Sequence, residues 1–269
     1  MRHIKYLLLI IPLIFIFNSF RKDMRKDSVL VCYGKLNPET TKGYKYLIVE
    51  SKHYFPSNIR VFKSQNEKVF AYISLGEVNE NAPHYDELKK LTLGKNKIWN
   101  SHYLDLSKKK TIETLMLIVD EIFEKGYDGM FLDNFDNYTI HGPQKEQKAG
   151  IIELMKLIKN KYPKKIFIQN AGLELIPETN SFVDAVAIES IATDYNFETK
   201  KYSLRKKEQF DTYLNKINQL HTDYKIPFII IEYADSEALV SQIKDRLDDT
   251  QHNYFIGNID LQTLPKFKK

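Results

Sequence analysis

Acids, amides and tyrosines gather at the ends of short apolar runs in this 269-residue sequence. One run ends in Tyr33-Gly34 and the next in Glu50. A third reads Tyr72-Ile73-Ser74-Leu75-Gly76-Glu77, and a fourth Leu132-Asp133-Asn134-Phe135-Asp136-Asn137-Tyr138. Later runs close on Gln169-Asn170, on Glu189-Ser190, on Glu232-Tyr233 and near Asn258 and Asp260. Carboxylates and amides make directional hydrogen bonds to hydroxyls, aromatic rings stack on apolar faces, and clustered acids attract cations. Such a rim suits a polyol or an amino sugar. Hydrolysing a glycosidic bond takes two carboxyl groups across the anomeric carbon, one ionised and one kept protonated by desolvation or a neighbouring charge. Asp133 and Glu189 are the pair placed to do this, provided that their two runs face each other.

Blander roles compete for the same residues. A strand-end Asp followed by Asn is a common Asx turn or helix cap, which is the structural alternative for Asp133. Asp136 reads more readily as a turn residue or a support for Asp133 than as a nucleophile. Glu189 closes the apolar run Val183-Asp184-Ala185-Val186-Ala187-Ile188, where a buried salt bridge would also account for it. The Asp133–Asn137 cluster resembles part of a calcium loop but lacks the glycine and terminal Glu of an EF-hand. A metal-assisted hydrolase using Asp133 and Asp136 is therefore a third reading, beside a silent glycan-binding barrel. The seven histidines show no ligand spacing, and GxGxxG, P-loop and GxSxG patterns are absent, so no metal or cofactor is expected. Asn137-Tyr138-Thr139 fits a glycosylation sequon, a pattern short enough to arise by chance.

Elements of the right kind exist to position these groups. Strands are predicted over Val29–Tyr33, Tyr46–Glu50, Val69–Leu75, Gly129–Asp133, Ile166–Asn170, Ala185–Glu189, Phe228–Glu232 and Tyr254–Gly257. They are continuous apolar runs, as parallel strands buried on both faces must be. Helical spacing fills Thr111–Lys125, Gln147–Tyr162, Phe210–Tyr224 and Ser236–Leu247, the first stopping at Gly126 and the second at Pro163. Strands alternating with helices at this length predict a single α/β domain, a closed (β/α)₈ TIM barrel over residues 27–269, with a doubly wound open sheet as the alternative. Catalytic groups of such barrels sit at the C-terminal ends of the strands, where the acids and amides lie. The polar segment Ala192–Lys207, with Tyr195, Phe197 and Tyr202, is placed to act as a lid or subsite wall.

Residues 1–26 differ from the rest. Arg2 and Lys5 precede an apolar block over residues 6–17, too short for a spanning helix and suited to a signal peptide or short membrane anchor. Export is expected, to the medium, the periplasm or the cell envelope. Six basic residues and one acid lie in this segment; taking them from the chain's 40 basic and 35 acidic residues leaves 34 of each. The net charge of +5 thus belongs to the leader, and nucleic-acid binding is not expected of the remainder. The single cysteine, Cys32, excludes an intramolecular disulfide and lies in an apolar run that predicts a buried thiol.

The segments Phe70–Glu77, Gly126–Tyr138, Ile188-Glu189-Ser190 and Ile231-Glu232-Tyr233-Ala234 resemble, in order, those of the endo-α-1,4-polygalactosaminidase family of glycoside hydrolases, family 114. The likeness spans roughly Val29 to the C-terminus. It implies a (β/α)₈ barrel, usually exported, that hydrolyses α-1,4-linked galactosamine polymers, including partly deacetylated exopolysaccharides. It also implies Asp133 and Glu189 as the catalytic carboxylates and Glu77 as a substrate contact. Where the family usually has an aromatic close behind the strand-six Glu, this chain reads Glu189-Ser190-Ile191-Ala192. On this reading Asp133 is the nucleophile and Glu189 the general acid/base of a retaining reaction. Tyr33, Tyr72, Glu77, Asn134, Asp136, Tyr138, Asn170 and Glu232 are expected to hold the sugar. The expected partner is an amino-sugar polysaccharide, met by a monomer.

Overall fold

A computed structural model describes residues 28–269. The proposed leader and its residue 6–17 anchor lie outside the described residues. Eight parallel strands form one sheet in chain order: β1 Val29–Cys32, β2 Tyr46–Glu50, β3 Lys68–Ser74, β4 Gly129–Asp133, β5 Ile166–Asn170, β6 Ala185–Glu189, β7 Phe228–Tyr233 and β8 Asn253–Gly257. β1 and β8 lie side by side, and the Tyr33 N–H donates to the Leu261 carbonyl at 2.7 Å beyond them, so the sheet curls into a barrel rather than a doubly wound sheet. The strands are apolar throughout because one face fills the barrel and the other meets the helices; every residue of β1 and β7 is buried. Cys32 is fully buried, as its apolar surroundings predict. The start of β4 lies so close to β5 that a Cβ on Gly129 would come within 1.9 Å of the Ile166 carbonyl oxygen. Only glycine fits there.

The helices pack outside, each through one apolar stripe. In α2, Lys109–Glu124, Leu115, Val119 and Ile122 recur at three- and four-residue spacing and are buried, and the chain leaves at Gly126 with φ +99°. The sequence pattern also anticipates α3 Lys148–Lys161, α5 Lys207–Tyr224 and α6 Glu237–Leu247; the last is capped by the Ser236 hydroxyl, which accepts from the Leu239 N–H. The further α-helices among the described residues carry weak patterns: α1 Pro56–Gln65, one turn at Tyr85–Leu88 and the short α4 Ile176–Thr179. The link from β1 to β2 is a loop rather than a helix.

Two excursions rise from the C-terminal end of the barrel. After β3 the chain makes a three-stranded antiparallel sheet from Glu77–Asn79, Thr92–Asn96 and Ser101–Leu104. After β6 it makes the hairpin Thr193–Asn196 and Lys201–Leu204, within the segment expected to be a lid or wall. Both frame the mouth into which the strand-end side chains project.

Candidate active site

Asp133, at the end of β4, and Glu189, at the end of β6, meet across the side chain of Asn170 from β5. One nitrogen, Asn170 Nδ2, donates to Asp133 Oδ1 at 2.8 Å and to Glu189 Oε1 at 2.7 Å. Asn170 is 3% exposed, so packing holds this bridge in place. Its Oδ1 is buried and, among the described residues, has no hydrogen-bond partner. Each acid then takes a phenol: Tyr72 donates to Asp133 Oδ2 at 2.7 Å, and Tyr233 to Glu189 Oε2 at 2.5 Å. The Asn134 N–H adds a third bond to Asp133, at 2.8 Å.

These contacts exclude the bland roles. Asp133 caps no helix, since the turn Phe135–Tyr138 has no side-chain cap. Glu189 is held by an amide and a phenol rather than by a cation. Burial pushes both carboxyls above their usual range, and the charge of Asp133 pushes Glu189 further. Three donors oppose the rise at Asp133 and two at Glu189, while a further carboxylate adds to each, Glu77 to Asp133 and Asp136 to Glu189. The pair thus differs in its hold on a proton: Asp133 is the better-supported anion and Glu189 the better-supported acid. Burial and the two carboxylates hold the hydroxyls of Tyr33, Tyr72 and Tyr233 protonated far above their ordinary range, so they remain donors.

The backbone turns sharply after each of the three residues. Asn134, Ala171 and Ser190 directly follow Asp133, Asn170 and Glu189, and all three are left-handed, at φ 69°, 60° and 58°. Such a conformation costs a non-glycine residue about 1 kcal/mol or more. The turns aim the preceding side chain into the mouth while sending the chain away from it.

Several residues expected to touch sugar are committed elsewhere. Glu77 is buried at the start of the three-stranded sheet, where it accepts from Ser101, from Asn96 at 3.2 Å and from Asn137 at 2.9 Å. It binds the insertion to the β4 loop. Tyr138 is buried too, its hydroxyl donating to the Leu75 carbonyl at 3.0 Å. Glu232 is 0% exposed and accepts from the Ala192 N–H at 2.7 Å, the Thr193 N–H at 2.9 Å and the Thr193 hydroxyl at 2.5 Å. It anchors the root of the hairpin. Tyr33 and Tyr72 stand together at the mouth, ring centroids 4.3 Å apart, and Asp136 is exposed there. The surrounding walls, then Asp133, push the Asp136 carboxyl up. Asn134 receives the Ser74 hydroxyl on Oδ1 at 2.5 Å and so supports the turn after Asp133.

Tyr233 is the residue that the sequence reading passed over in favour of its neighbour Glu232. Strand parity identifies it. Glu189 stands beside Ile231 in the ladder, so Ile231 and Tyr233 share its face and Glu232 takes the other.

A barrel whose strand ends bring two half-buried carboxyl groups together, one supported as anion and the other as acid, is the frame of a glycoside hydrolase. The chain belongs to glycoside-hydrolase family GH114, whose model matches residues 26–264. Among solved structures it is similar to the glycoside hydrolase domain of PelA from Pseudomonas aeruginosa, with 22% identity and a TM-score of 0.77 over 88% of this chain and 96% of that one. It is also similar to Aspergillus fumigatus Ega3, solved in complex with galactosamine, with 20% identity and a TM-score of 0.68 over 89% of this chain and 93% of that one. At such identities the likeness carries the fold. No curated protein sequence matches the chain.

Proposed function

We propose that this glycoside hydrolase cleaves α-1,4-linked galactosamine polymer within the chain, with Asp133 as nucleophile and Glu189 as general acid/base. The observation that carries the chemistry is the shared Asn170 nitrogen, which keeps an oxygen of each carboxyl group within about 5.5 Å of the other, close enough for a retaining pair. In the first step Asp133 attacks the anomeric carbon as Glu189 gives its proton to the departing glycosidic oxygen. In the second, Glu189 takes a proton from water, which displaces Asp133 and restores the starting configuration. Tyr72 and Asn170 keep Asp133 ionised and aimed, and Tyr233 keeps Glu189 turned towards the bond.

The substrate class rests on the family and on the relative solved with galactosamine. Exposed Asp136 beside half-buried, ionised Asp133 makes the mouth acidic, which favours a polymer carrying free amines. Residues 1–26 act as a signal peptide or anchor, so the enzyme works outside the cytoplasm on extracellular polysaccharide. No cofactor enters the scheme.

The test is release of reducing ends from partly deacetylated α-1,4-galactosamine polymer, compared with other glycans, with the first-formed anomer followed by proton NMR. Cleavage of the amino-sugar polymer with retained configuration is the expected result. A well-folded enzyme that leaves this polymer intact and cuts another glycan contradicts the substrate; an inverted first product contradicts the two-step mechanism.

A further inference from the structure

The two excursions above the barrel touch each other across its mouth. The insertion after β3 is rooted on the β3–β4 side: the Gly76 carbonyl accepts from the Leu104 N–H at 2.8 Å, and Gln144 donates to the Leu104 carbonyl at 2.7 Å. The hairpin after β6 is rooted on the opposite side. Glu232 of β7 holds its base, and the Tyr202 hydroxyl accepts from the N–H of Ile259, just past β8, at 3.2 Å. In a ring of eight strands these roots lie face to face, with Asp133 and Glu189 between them.

Four aromatic rings close the span. Trp99, at the tip of the insertion, meets Phe197, at the tip of the hairpin, edge to face with centroids 5.3 Å apart. Phe197 meets Tyr195 at 5.0 Å, and Tyr195 meets Tyr202 at 4.7 Å. Trp99 and Phe197 remain 50% and 45% exposed, with Ile98 beside them. A hollow of about 630 Å³ opens beside the row, lined by Ile98 and residues 194–198, so that Tyr195 and Phe197 are the two rings that border it. Its rim includes the exposed carboxylate of Glu198.

Large exposed rings clustered with Ile98 at the tips of two loops make an apolar patch of the kind that marks a binding groove. A pyranose presents C–H faces that lie against such rings and hydroxyls or amines for a neighbouring carboxylate. We propose that the touching rings of Trp99 and Phe197 form the face of an aromatic clamp, a second saccharide site against which a sugar of the polymer lies away from the bond being cut. The inference rests on the amino-sugar reading above. The clamp favours long chains over short ones, because only a chain reaching from Asp133 to the bridge fills both sites.

Trp99 is the sole tryptophan of the chain, so its fluorescence reports on the clamp alone. The probes are galactosamine oligosaccharides and free galactosamine, added to the Asp133→Asn protein so that nothing is cleaved, with binding measured in parallel by calorimetry. Oligosaccharide should change Trp99 emission while the monosaccharide leaves it unchanged. Trp99→Ala and Phe197→Ala should each weaken oligosaccharide binding about tenfold and leave monosaccharide binding as it was. Calorimetric binding of oligosaccharide with unaltered emission and unaltered affinity in both variants overturns the clamp while the amino-sugar site stands. Absence of any calorimetric binding removes the amino-sugar reading, and the clamp for that glycan with it.

Discussion

Oδ1 of Asp133 and Oε1 of Glu189 share a single donor, the Nδ2 of Asn170, at 2.8 and 2.7 Å. One amide therefore fixes the spacing of the two acids and lowers the proton affinity of both. Asn170→Ala should cut kcat by about 10²-fold with a smaller change in KM, since the donor supports charge that moves during reaction. Both limbs of the pH profile should move to higher pH, because the amide opposes the burial that raises each carboxyl. A variant with full kcat and an unmoved profile would show that the bridge serves only packing.

The two phenols should separate the two limbs. Tyr72 lowers the Asp133 carboxyl and Tyr233 lowers the Glu189 carboxyl. Tyr72→Phe thus raises the proton affinity of the group that must be ionised, and the acidic limb of kcat/KM should move up. Tyr233→Phe does the same to the group that must be protonated, moving the basic limb up. Each loss should cost about tenfold or more at the optimum. Shifts on the same limb in both variants would contradict the assignment of roles.

Glu232 should leave a signature in stability rather than in chemistry. Burial pushes its carboxyl from 4.5 to about 7, against the opposing bonds from Thr193 and Ala192. A raised acid binds its proton more tightly when folded, so its contribution is fullest below pH 4.5 and is lost as pH climbs to about 7. The loss amounts to about 3 kcal/mol across that window. Urea unfolding at a series of pH values should show the fall, and Glu232→Gln should flatten it. The slope is the readout, because a glutamine amide would face backbone donors and lower stability at every pH.

The left-handed turns predict a trade between stability and rate. Ala171, at φ 60°, carries a Cβ that this conformation disfavours. Ala171→Gly should stabilise the protein by about 1 kcal/mol in urea unfolding and lower kcat by loosening Asn170. A variant that gains rate along with stability would show that the turn plays no part in aiming the amide.

Much of this was legible in the residues. The eight strands fall within a residue of their expected ends, because runs such as Phe228–Tyr233 are apolar on both faces and allow no other placement. Asp133 and Glu189 stand out for the same reason: a carboxylate closing such a run needs a use. The β3 insertion was illegible, since Thr92–Asn96 is short and mostly exposed and Ser101–Leu104 buries only its two ends, so neither carries an apolar run. Glu77, Tyr138 and Glu232 looked like sugar contacts because polarity at a strand end signals the mouth. That signal does not say which side of the strand a residue takes. Parity decides it, and parity separates Tyr233, which meets Glu189, from Glu232, which meets the hairpin.

The central claim is that Asp133 and Glu189 together cut an amino-sugar polymer. Its most direct test is reducing-end release from partly deacetylated α-1,4-galactosamine polymer by the wild type, Asp133→Asn and Glu189→Gln, each confirmed folded by its unfolding transition. The account predicts steady cleavage by the wild type and losses of at least about 10³-fold in both variants. Cleavage that survives either substitution near the wild-type rate would contradict it.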